Sequence, residues 1–118
     1  MEDPVLLPAE EIESNLVLCA SCVGYLEDSG RYEIRDLIAP ECVALVHMLR
    51  KMLPDGEDRV LRLAREHPVP WVRYYTAAAI EGDFPSVSCA VYKELQVVGG
   101  IVSAVALVAE KLLAQPKH

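Results

Sequence analysis

Aromatic residues are scarce in this chain: one Trp, one Phe and five Tyr, 6% of 118 residues. The hydrophobic fraction is nevertheless 53%, which excludes intrinsic disorder and predicts an aliphatic core of Val, Leu, Ala and Ile. Basic side chains are in the minority, 11 against 18 acids for a net charge of −7, the opposite of the usual nucleic-acid-binding footprint. A sustained two-residue alternation between turn signals is also missing, which argues against strands. The longest uncharged run, Leu95 to Ala109, is fifteen residues and is interrupted by Gly99 and Gly100, short of the roughly 20 apolar residues that span a bilayer. The start, Met-Glu-Asp-Pro, is acidic where an export signal is basic, so a soluble cytoplasmic protein is expected. The length suits one domain with its own core.

The acids that are present crowd toward one end. Residues 1–41 hold ten acids and two bases, a net of −8, whereas the other 77 residues hold eight acids and nine bases. Such asymmetry steers basic partners and repels polyanions.

Pro and Gly punctuate the sequence, and the pieces between them read as helices. Pro8 opens a segment with Ile12, Leu16, Cys19, Val23 and Leu26 on a 3.6-residue repeat, and Ser29-Gly30 ends it. A short amphipathic piece, RYEIRDLI, follows, with Tyr32, Leu37 and Ile38 expected inside. Pro40 is then expected to open a new helix with Val43, Val46, Leu49 and Leu53 along one face. Pro54-Asp55-Gly56 is a turn, and the next helix, facing inward through Val60, Leu61 and Ala64, stops at His67-Pro68. Pro70 and Pro85 open two more helices, ended by Gly82-Asp83 and by Gly99-Gly100, and a last alanine-rich helix stops at Pro116. The fold class is all-α. Short connections imply antiparallel neighbours, with residues 1–53 as N-terminal capping helices and 54–118 as two helix pairs, each of about thirty residues, the period of stacked hairpin repeats.

The segment EHPVPWVRYYTAAAI resembles the second-helix start of a HEAT repeat, where a turn is followed by Val-Arg (here Val72-Arg73) and then by small residues such as Ala77 and Ala78. With GRYEIRDLI and MLRKMLPDG, the stretch Arg31 to Ala114 is similar to a family of small bacterial HEAT-like domains of unknown function. That resemblance implies a short HEAT/armadillo-like right-handed superhelix. It also implies that Arg73 bonds carbonyls or an acid in a neighbouring repeat. Thr76 stands where an alanine is common.

Candidate chemistry is thin. Cys19 and Cys22 form a C-x-x-C pair, but both fall mid-helix, away from the helix N-terminus that activates a redox thiol. Cys42 and Cys89 stand alone in sequence, without the paired ligands zinc needs, so all four cysteines read as small buried hydrophobes and no metal or cofactor is expected. His47 reads as a core histidine and His67 as a helix-end cation, while His118 is terminal. No triad ordering can be built from these positions, so no enzyme is expected. Arg59, Arg62, Arg65 and Arg73 beside Trp71, Tyr74 and Tyr75 form an Arg/aromatic group of the kind that binds phosphates and stacks on bases, although Asp55, Asp58 and Glu66 partly match it.

The remaining reading is a protein-binding module. Small acidic bacterial proteins of this kind include immunity proteins, which mask the basic cleft of a toxin, and Glu10, Glu13, Asp28, Glu33 and Asp36 are the candidate partner-binding acids. The alternative is a nucleic-acid binder using Arg59, Arg62, Arg73 and Trp71. The last helix is apolar nearly all round up to Glu110, so it is expected to be covered, either by the N-terminal helix or by a second copy in a homodimer.

Overall fold

The computed structural model describes residues 8–52 and 54–115, which form helices α1 (Pro8–Asp28), α2 (Tyr32–Met52), α3 (Gly56–Glu66), α4 (Pro70–Ile80), α5 (Pro85–Leu95) and α6 (Gly100–Ala114). No strand occurs among the described residues. Pro70 and Pro85 sit in the first turns of α4 and α5, where a missing N–H removes no helical bond. At the other end of α3, His67 is extended, with ψ 137°, as the residue before a proline must be.

One helix boundary departs from the sequence reading. α2 runs unbroken from Tyr32 to Met52 with Pro40 inside it. A proline there removes one backbone bond and crowds the carbonyl of Asp36. The helix persists because both halves are anchored. Ile38 and Ala39 pack on the core before Pro40, and Cys42, Val46 and Leu49 are buried after it, while Pro40 itself faces solvent. The inward set of RYEIRDLI is corrected too: Tyr32 and Leu37 are exposed and only Ile38 is half-buried. Val43 is also exposed, while Leu53 lies outside the described residues. α5 stops at Leu95, three residues early, and Gly99 and Gly100 take positive φ of 94° and 79° where α6 begins. Ser103 ties that turn, accepting from the Gly99 N–H at 2.6 Å and donating to the Leu95 carbonyl at 2.7 Å.

α1 and α2 run antiparallel: Glu27 meets Arg35 near the turn, and Cys19 meets Cys42 two turns further from it. From α2 onward each helix packs on its successor and on the helix after that, and α4 touches all five others. α4 is therefore the centre, burying Trp71, Val72, Tyr75, Thr76, Ala77 and Ile80. The scarce aromatics concentrate there: Trp71 stacks on Tyr75 at 5.8 Å and meets Tyr74 edge-on, and Tyr74 reaches Tyr92. α1 reaches this centre through Gly24, where a Cβ would lie only 2.4 Å from Trp71 Cγ. α1 packs on α2 and α4, not over α6, so the expectation that the first and last helices cover each other is corrected. α6 leans on α4 and α5 and turns Ile101, Leu107, Val108 and Leu112 to solvent.

Candidate functional site

The α1–α2 layer carries eight of the 18 acids, and the fold divides them by role. Glu27, which the sequence reading passed over, is buried at 4% exposure. Arg35 Nη1 reaches it at 3.0 Å, and the Tyr75 hydroxyl donates to its other oxygen. This buried group is bonded on both oxygens, as a buried carboxylate must be. Burial, then the bond to Glu27, then the charge of Glu27 push the Tyr75 hydroxyl far above the ordinary tyrosine range. The pattern L-E-D at the end of α1 gave no sign of this, because Tyr75 lies 48 residues away.

Of the five acids singled out from sequence, three are engaged within the chain. Glu13 pairs with Arg59 at 3.3 Å. Asp28 accepts the Trp71 indole N–H at 3.2 Å, and Asp36 pairs with Arg35 at 2.9 Å. Glu10 and Glu33 are exposed and form no ion pair with a described residue, as is also true of Glu11 and Glu41 on the same two helices. Between these acids the layer exposes large apolar side chains: Leu18 is 69% exposed, Tyr25 67% and Leu37 79%, with Ile34 beside them. Leu18, Cys22 and Tyr25 follow an i, i+4, i+7 spacing, so they form one outward stripe of α1.

The Arg/aromatic group is largely consumed by the fold. Trp71 is 6% exposed and stacked in the core. Arg59 is shared between Asp55 at 3.2 Å and Glu13. Arg73 donates from Nε to the Ala64 carbonyl of α3 at 3.0 Å and pairs with Glu94 of α5, so it fastens three helices together. Arg62, like Arg65, is left exposed. Arg50 does similar work elsewhere, reaching Glu57 at 3.2 Å and Asp83 at 2.9 Å.

The remaining reactive side chains are dispersed. His47 is exposed rather than in the core. His67 accepts the Val69 N–H on Nδ1 at 3.1 Å. Cys22 is exposed, Cys19 and Cys89 are half-buried and Cys42 is buried, so only Cys42 is the fully buried small hydrophobe expected of all four. Nor does Cys42 stand alone, because its Sγ lies 3.3 Å from that of Cys19. Among the described residues no group of His, Cys, Asp and Glu has the arrangement to hold a metal ion, and no helix is long and apolar enough to cross a membrane. The chain matches no protein-family model, no curated protein and no solved structure.

Proposed function

We propose that this protein is a non-catalytic protein-binding module, a short HEAT-like stack of helical hairpins that engages a basic partner through its α1–α2 layer. Its most concrete form is an immunity-type protein that binds a bacterial toxin and masks the toxin's basic cleft. The observation that carries the reading is the juxtaposition on α1 and α2 of unpaired acids, Glu10, Glu11, Glu33 and Glu41, with the exposed Leu18, Tyr25 and Leu37. Apolar anchors of this kind supply affinity, and the acids supply attraction and register. The rival nucleic-acid surface has less support, since Arg59, Arg73 and Trp71 are already engaged within the chain. The test is affinity capture from the protein's own cells with the wild type and with the Glu10→Lys/Glu33→Lys variant. A basic protein captured stoichiometrically by the wild type, released by salt and lost with the variant supports the reading. Equal capture by both, with equal salt dependence, sinks it.

A second surface favours self-association. The outer side of α6 presents Ile101, Val108 and Leu112, with Val97 and Val98 just before its start, and among the described residues Lys111 is the one charged side chain exposed there. Glu110 is turned inward, accepting from Gln96 at 2.7 Å and pairing with Lys93. Two copies that meet α6 to α6 would therefore bring apolar side chains together and keep the acidic α1–α2 layers out of the contact. That is the geometry we propose for a homodimer.

A further inference from the structure

Three of the four cysteines gather on the α1–α2 hairpin. Cys42, fully buried on the inner side of α2, donates its S–H to Cys19 Sγ on α1 at 3.3 Å. The Cys19 thiol points on toward the Ile38 carbonyl at 3.9 Å. Cys22, one turn further along α1, is exposed. A disulfide has its sulfurs about 2 Å apart, so Cys19 and Cys42 need to approach by only about 1 Å. The register that sets them opposite each other is held independently by the Glu27–Arg35 pair and by the buried Leu16, Val23, Val46 and Leu49.

We propose that Cys19 and Cys42 are a redox-reactive thiol pair, which a low-molecular-weight disulfide of the glutathione type converts to a disulfide stapling α1 to α2. Cys19, the half-buried member, attacks one sulfur of the small disulfide as its thiolate. The small S–S bond breaks, one half stays on Cys19 as a mixed disulfide, and the other leaves as a thiolate that takes up the proton Cys19 released. Cys42 then attacks Cys19 Sγ. The protein disulfide forms, and the second small thiolate departs with the proton of Cys42. Two protein thiols are oxidised and one small disulfide is reduced to two thiols. Burial, and then the bond to Cys19, hold the Cys42 thiol protonated well above its ordinary range, so the second step is slow and the pair is read at equilibrium. Cys22 lies in the open and reacts on its own account. The inference is independent of what the α1–α2 surface binds.

The test equilibrates the Cys22→Ser/Cys89→Ser protein with glutathione buffers of graded disulfide content, followed by acid quench, alkylation and mass spectrometry. The expected result is concerted loss of both thiols, a mass lower by two hydrogens, and no glutathione retained. The crosslink should also shift the unfolding equilibrium toward the native state on the order of a hundredfold. Single glutathione adducts that persist, or two free thiols at every buffer ratio in a protein with a helical circular dichroism spectrum, overturn the proposal. If the double variant does not fold, peptide mapping of the oxidised wild type decides instead. Residues 1–31 linked to residues 36–50 through Cys19 and Cys42 support the pair, and any other linkage, or none, overturns it.

Discussion

Tyr74, Tyr75 and Tyr92 have one physical property in common. Burial is the largest influence on each, and neighbouring carboxylates add to it: Glu27 for Tyr75 and Tyr74, Glu81 for Tyr92, whose hydroxyl bonds that acid at 2.6 Å. All three hydroxyls therefore hold their protons above the ordinary value of 10.0. A raised folded-state value means stability that is complete below the unfolded value and declines as pH rises toward the folded one. The expected outcome is a urea midpoint that is level below about pH 9 and falls by about pH 11, with tyrosinate absorbance appearing together with unfolding. A midpoint unchanged across that window would show that these hydroxyls are not held by the fold. None of this is legible in the sequence, where Glu27 is one acid among ten in the first 41 residues. The Cys19–Cys42 contact is hidden for the same reason: 23 residues of separation become a touch only once the hairpin register is set.

At the scale of the helix, α1 rests on α4 through a notch. Gly24 leaves room for Trp71, and an added Cβ would lie 2.4 to 2.6 Å from three of its atoms. Helix propensity alone favours alanine over glycine by about 1 kcal/mol. Gly24→Ala is nonetheless expected to lower stability by roughly 1–3 kcal/mol through overpacking, measured by chemical denaturation. A more stable variant would mean that α1 does not depend on that ring. Most helices are readable from the sequence because their start and stop signals are local: Pro70 and Pro85 at the first turns, His67-Pro68 beyond α3. α2 is misread for an equally clear reason. The proline rule is local, with a cost of about 3 kcal/mol, and it is outweighed by burial of Cys42, Val46 and Leu49 against other helices, which no local rule contains.

For the whole molecule, the charge asymmetry read from the sequence survives folding and gains a geometry. The α1–α2 hairpin is acidic, while the α5–α6 hairpin is nearly neutral and carries an apolar outer side on α6. Light scattering is expected to show a species of twice the 13.0 kDa chain mass, reverting to a monomer on Val108→Glu/Leu112→Glu with its helical spectrum intact. A wild type that stays monomeric at the highest concentration reached would remove α6 as a self-association surface. The sequence flagged the apolar excess of this helix, yet it could not say which neighbour covers it, because α1 turned out to pack on α4.

The central place of α4 also bears on how the chain is made. The α1–α2 hairpin is local in sequence, but Trp71 and Tyr75, which fill its notch and bond Asp28 and Glu27, belong to α4. Ribosomes add roughly 5–20 residues per second, so the 48 residues between Glu27 and Tyr75 take about 2 to 10 s to synthesise. Until Trp71 and Tyr75 have been added, the nascent α1–α2 segment has a carboxylate without its hydroxyl and a groove without its indole.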